Sequence, residues 1–156
     1  MTTKTILRRA MITAGVLGLA SLGFIYYQNS QVPTLGVSDG KLKPLGSFPN
    51  SVSTQASQDS KRVEPLPMKS TVEDTMAAIK EACKSVSQTD ILEERSDYLR
   101  VVFTTPVMKF HDDGEFWIDE QAQVVHFRSA ARAGYSDGGN NRARYQKLTS
   151  AYKQTQ

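Results

Sequence analysis

FRSAARAGYSDGGNNRARY, residues 127–145, joins the end of a predicted strand to the start of a predicted helix. Val125 and Phe127 alternate with polar neighbours, which is the two-residue period of a half-buried strand. The glycines and Asp137 that follow indicate a turn, because glycine adopts positive φ and aspartate hydrogen-bonds its own backbone. Apolar residues then recur at helical spacing: Tyr145, Leu148 and Tyr152. The stretch predicts a polar strand end followed by a helix that Asp137 or Asn140 caps.

A second helix is predicted upstream, over about residues 71–86. Ser70 and Glu73 have the spacing of a capping box at its start. One face carries apolar residues three and four positions apart: Val72, Met76, Ile79, Cys83 and Val86. Cys83 is the single cysteine, so no intramolecular disulfide can form. Its place on this face predicts a small buried side chain.

Strand patterns lie between the two helices. Residues 98–105 alternate clearly, and residues 107–111 and 115–119 are predicted as a hairpin around the Asp112-Asp113-Gly114 turn. Residues 124–128 form the last predicted strand, and 91–94 show a shorter pattern. The prediction is an α+β fold with a four-stranded antiparallel meander, flanked by an N-terminal and a C-terminal helix.

The N-terminus has the composition of a membrane-targeting segment. A basic head, residues 1–10, precedes seventeen uncharged residues, 11–27. About 17 to 25 apolar residues span a bilayer, so this is a transmembrane anchor or an uncleaved signal, with a cleavable signal as the alternative. Aromatic residues at its end favour the anchor. The basic head predicts a single pass through a bacterial inner membrane, with the rest of the chain in the periplasm.

Charge argues against nucleic-acid binding. The head carries Lys4, Arg8 and Arg9, which account for the whole net charge of +3. The remaining chain holds 16 basic and 16 acidic residues. A protein that binds phosphate backbones concentrates positive charge on its folded part, so no nucleic-acid partner is predicted.

Residues 28–69 have the composition of a linker, with five of the six prolines and many serines. Within this segment, residues 58–69 are expected to be the freer hinge. Residues 70–156 form the predicted globular domain.

Three stretches resemble the signature of the family called domain of unknown function 1499: RSAARAGYSDGGNNRARYQKL, FHDDGEFWID and LGVSDGKLKPLGSFPNSVSTQ. Together they span roughly residues 35–148. The resemblance implies that residues 35–55 pack against the domain as extended chain. It implies no activity. Where relatives usually carry two cysteines, this chain has Leu45 and Ser51.

Familiar catalytic and metal-binding patterns are weak in this sequence. Asp112, Asp113 and Glu115 lack the spacing of a calcium loop, so a solvated turn is predicted. His111 and His126 have no partner at helical metal-ligand spacing. No metal site and no cofactor is predicted, and catalytic residues are not identified.

The predicted polar site is the corner between the last strand and the last helix, formed by Arg128, Arg132, Asp137, Asn141 and Arg142. Arginines that face a helix N-terminus suit an anionic ligand. Alternatively, Asp137 ties the arginines into a structural corner. The predicted function is a membrane-tethered binding or assembly domain that engages an envelope protein or a small anionic or lipid-derived ligand. The alternative is a hydrolase-like envelope enzyme.

Overall fold

The computed structural model describes residues 2–86 and 88–155. Three α-helices are α1 (Thr3–Ser30), α2 (Val72–Lys84) and α3 (Asn140–Gln154). The strands that precede α2 are short: β1 (Val37–Ser38), β2 (Lys41–Leu42), β3 (Ser51–Ser53) and β4 (Leu66–Pro67). Between α2 and α3 lie β5 (Thr89–Glu94), β6 (Tyr98–Thr104), β7 (His111–Asp119) and β8 (Val124–Ala131).

The predicted antiparallel meander forms most of the sheet, as β5-β6-β7-β8, with β5 at one edge. The strand count of four is too low, because β3 and β4 both pair antiparallel with the free edge of β8. The sheet therefore has six strands, and β1 and β2 form a separate hairpin. Both added strands come from the predicted linker, and the expected hinge at 58–69 holds β4 and the buried Lys61.

The apolar face of the sheet packs against α2 and α3. Phe116, Phe127 and Ile79 are almost fully buried there, and Tyr145 stacks on Phe127 with ring centroids 4.4 Å apart. Cys83 is buried as predicted, and burial raises the pKa of its thiol to about 12.

Helix α2 lies close to the predicted range. Its N-cap is Thr71 rather than Ser70, since the Thr71 side chain accepts from the Asp74 backbone N–H at 3.0 Å.

The Asp112-Asp113-Gly114 turn is a wrong prediction, because these residues lie inside β7. The chain reverses at residues 105–110 instead, where Lys109 adopts a positive φ of 55° and Thr105 Oγ1 accepts from the Phe110 N–H. Gly114 is present for packing reasons. A Cβ at this position would lie 2.5 Å from Phe103 Cε2, so the aromatic ring occupies the space of a side chain.

The opposite, charged face of the sheet is covered by the segment between α1 and β3. Leu42 is buried, and the rim of Trp117 lies 3.7 Å from the position that a Cβ on Gly40 would take. Helix α1 is long and apolar enough to cross a membrane, a property that signal sequences share. Its last turn contacts the domain through Asn29, which is 5% exposed.

Candidate functional site

The charged face of the sheet is organised around two carboxylates of β7. Asp113 and Glu115 are two residues apart, so their side chains leave the same face of the strand. Asp113 accepts from Arg132 Nε at 2.7 Å and Nη2 at 3.0 Å, and from Arg100 Nη2 at 2.8 Å. All three side chains are largely buried. The double contact with Arg132 is the bidentate geometry that fixes a guanidinium plane.

Glu115 is fully buried and receives three donors. Tyr98 Oη and the Gly36 N–H donate to Oε1 at 2.8 Å and 2.9 Å, and Arg128 Nη1 lies 3.3 Å from Oε2. Burial raises the pKa of Glu115, against the hydrogen bond from Tyr98 and the charge of Arg128. Burial likewise lowers the pKa of Arg128. Removal from water is the largest influence on the pKa of both partners.

Backbone carbonyls of the covering segment accept further hydrogen bonds from two of these arginines. Arg100 Nη2 donates to Pro33 O at 3.0 Å, and Arg128 Nε donates to Lys43 O at 2.9 Å. The extended chain that follows α1 is thus part of the charge network.

A cavity of about 240 Å³ opens beside this network. It lies between the last turn of α1 and the end of β8, and its lining residues are Gln28, Gln31, Pro33, Asp113, Arg128, Ala130, Ala131 and Arg132. Three guanidinium groups face two carboxylates in this network: Arg100 and Arg132 pair with Asp113, and Arg128 pairs with Glu115. In formal charge, the guanidinium groups outnumber the carboxylates by one.

The structure brings two of the five predicted site residues, Arg128 and Arg132, to this cavity. Asp137 contacts neither of them in the described part of the chain, and it instead accepts from the backbone N–H groups of Gly139 and Asn141 at 3.0 Å and 2.7 Å. Gly139 occupies the N-cap position of α3, and Asp137, one of the two predicted caps, caps the first turn from two residues earlier. Asp137 is not the hub of the arginines. Asn140 donates to the Asp137 carbonyl.

Asn141 and Arg142 make their hydrogen bonds outside the cavity. Asn141 is fully buried, accepts from Ser129 Oγ and donates to Asn50 O at 3.0 Å. Arg142 donates to the carbonyls of Ser60 and Arg62 at 2.7 Å and 3.1 Å. Both residues fasten α3 to neighbouring chain, and neither lines the cavity.

Asp112 belongs to a separate ion pair on the helix-facing side of the sheet. Arg144 Nη2 donates to Asp112 at 2.6 Å, and the Arg144 guanidinium lies 4.6 Å from the centroid of Phe103. Burial raises the pKa of Asp112, opposed by Arg144. The predicted solvated turn is thus wrong for all three acids, since Asp112, Asp113 and Glu115 are 3%, 1% and 0% exposed.

Sequence reasoning missed the acidic half of the site. The signal was the alternation of Asp113, Glu115 and Trp117, which has the period of a strand. The Asp113-Gly114 pair is typical of a turn, and it therefore hid this strand pattern.

Histidine chemistry is not assembled around the cavity. His111 and His126 each place Nδ1 3.1 Å from a threonine hydroxyl, those of Thr104 and Thr54. Burial lowers the pKa of His126, which also stacks on Trp117. Within residues 2–86 and 88–155, no three His, Cys, Asp or Glu side chains are grouped as metal ligands.

Comparison with curated proteins gives no match for this chain. Residues 41–151, which include β2 to β8 and most of α3, match the family described as "Protein of unknown function (DUF1499)". The match covers well over half of the sequence and includes both carboxylates and the three arginines that bind them. The chain therefore belongs to the DUF1499 family.

Proposed function

We propose that the protein is a membrane-anchored domain that binds a small anion, a carboxylate or a phosphate head group, in the cavity between α1 and β8. The observation that carries this proposal is the charge imbalance of the cavity wall. Two guanidinium groups line it, a third belongs to the same network, and two carboxylates oppose them. Buried charges are normally compensated, and here two arginines share the single carboxylate of Asp113, so the excess positive charge favours an anionic ligand.

The lining of the cavity supports a ligand of limited size. Its volume of about 240 Å³ is below the roughly 300 to 1,000 Å³ of pockets for drug-sized molecules. Guanidinium groups present planar donors that match carboxylate and phosphate oxygens. Gln28 and Gln31 add polar residues to the lining. Such a set suits a single acidic group better than an extended substrate.

The membrane part of the proposal rests on α1. This helix is long and apolar enough to span a bilayer, and Lys4, Arg8 and Arg9 precede its apolar part. By the positive-inside rule this arrangement favours a cytoplasmic N-terminus and a periplasmic domain. The cavity would then lie just outside the membrane, at the level of the lipid head groups.

Thermal unfolding of the full chain in detergent tests the ligand proposal. We expect inorganic phosphate or acetate to raise the melting temperature of the parent in a concentration-dependent way, because ligands that bind only the folded state stabilise it. Arg132→Ala should abolish this increase. Arg142→Ala is the matched control, since Arg142 lies outside the cavity, and should keep it.

The result that contradicts the proposal is a melting temperature that neither anion changes in the parent. An increase of equal size in the parent and both variants would place anion binding elsewhere on the surface. Native mass spectrometry of the same preparations shows whether a ligand is carried through purification.

A further inference from the structure

The turn between β6 and β7 exposes apolar side chains at its tip. Val107 is 85% exposed and Met108 is 44% exposed. Single exposed apolar residues are ordinary, but adjacent ones at a loop tip form a patch of the kind that contacts a partner or a membrane.

The same turn is fastened to the last turns of α1. The Asn29 side chain donates to Lys109 O at 2.9 Å and accepts from the His111 N–H at 2.7 Å. One helical turn earlier, Tyr26 packs on Phe110 with ring centroids 5.8 Å apart. Tyr26 belongs to the apolar run that ends at residue 27. The tip of the turn therefore lies beside the end of the apolar part of α1.

A second apolar contact lies at the same end of the sheet. Phe48 and Tyr135 are 53% and 70% exposed, with ring centroids 5.3 Å apart. Phe48 precedes β3 and Tyr135 follows β8. Ser51 of β3 pairs with Ala130 of β8, and Thr104 of β6 pairs with His111 of β7, at the same end of the sheet. This end of the sheet is the one that α1 contacts.

The loops at the opposite end of the sheet have a different composition. The β5–β6 connection, residues 95–97, reads RSD, and the β7–β8 turn, residues 120–123, reads EQAQ. Among these loops, the exposed aromatic and large aliphatic side chains are thus concentrated at the end of the sheet next to α1.

We propose that this end of the sheet lies in the membrane interface, with Val107 and Met108 inserted among the lipid head groups beside α1. The occupant is the bilayer, because the patch is continuous with the end of a helix that can span one. Apolar and aromatic side chains at the head-group level are typical of interfacial contacts. The inference rests on the membrane anchoring in the proposed function, and it is independent of anion binding.

Fluorescence of the full chain in vesicles of phosphatidylcholine and phosphatidylglycerol tests this contact. A polarity-sensitive label is attached at Val107→Cys and, as a control at the opposite end of the sheet, at Ala122→Cys. Both positions are exposed, so neither substitution disturbs the core. Cys83 is buried and the pKa of its thiol is high, so it should stay unlabelled in the folded protein. The unsubstituted chain checks this.

The label at position 107 should emit at shorter wavelength and lose most of its fluorescence when the lipids carry bromine atoms. The label at position 122 should show neither change. Equal, water-like emission at both positions overturns the inference, and so does an apolar shift at position 107 that requires an added protein. Carbonate extraction separates the two proposals. A chain retained in the membrane with an unquenched label at position 107 refutes the contact alone, whereas a chain that is extracted refutes the anchor as well.

Discussion

Asp113 forms ion pairs with two largely buried arginines, so the stability of the domain should depend on its carboxylate. Its side chain is 2% exposed, and those of Arg132 and Arg100 are 7% and 10% exposed. Removing one partner from a buried ion pair leaves an uncompensated charge and costs about 3 to 5 kcal/mol. We expect Asp113→Ala to lower the free energy of unfolding by about that amount, measured by urea denaturation.

Asp137→Ala is the matched control, because the sequence predicts Asp137, and not Asp113, at the centre of the arginine cluster. Asp137 makes backbone contacts as the cap of α3, so its loss should cost about 1 kcal/mol. Equal destabilisation by the two substitutions would contradict the assignment of Asp113 as the hub.

At the scale of the element, β7 depends on a glycine in its middle. Gly114 lies under Phe103 and Val101 of the neighbouring β6, at 2.5 Å and 3.0 Å from the position of a Cβ. Gly114→Ala should therefore overpack the core and cost about 1 to 3 kcal/mol.

Gly46→Ala controls for the change in backbone entropy, since no atom lies within 4 Å of the Cβ position at Gly46. It should leave stability nearly unchanged or raise it slightly. Both variants can be compared by thermal unfolding. A Gly114→Ala protein as stable as the Gly46→Ala protein would show that β6 adjusts to the added methyl group.

The elements that sequence predicts well are those whose own pattern is long enough to read. Helix α2 repeats its apolar face over four turns, and the stripe from Val72 to Cys83 fixes both its type and its buried side. Strands β3 and β4 contain three and two residues, too few for a periodic pattern, and they exist because the edge of β8 binds them. The Asp-Gly pair inside β7 misled because core packing overrides a local turn preference.

The site could be predicted in part for the same reason. Arg128 and Arg132 were named from the corner they share, and both line the cavity. Their carboxylate partners lie on a strand whose charged face looks exposed until the segment after α1 covers it. That cover comes from about 80 residues earlier in the chain, as the Gly36–Glu115 contact shows, and no local pattern predicts it.

At the scale of the whole molecule, the N-terminal third completes the domain rather than merely tethering it. The segment after α1 binds Arg100, Glu115 and Arg128 through backbone groups. Strand β3 then closes the edge of β8 and buries Val52. The charged face would otherwise be open to water, and an exposed strand edge would be free to pair with another chain.

Two N-terminal truncations test this dependence. A chain that begins at residue 31 loses the two hydrogen bonds of Asn29 and the ring contact of Tyr26 with Phe110, and it keeps the cover. It should unfold cooperatively and be less stable by about 1.5 to 4.5 kcal/mol, at about 0.5 to 1.5 kcal/mol for each hydrogen bond and for the ring pair. A chain that begins at residue 58 loses the cover and β3, and it should aggregate or show no cooperative transition. Calorimetry with analytical ultracentrifugation distinguishes these outcomes. A monomeric chain from residue 58 that melts as cooperatively as the chain from residue 31 would show that residues 58–155 suffice for the fold and that the buried charge network needs no cover.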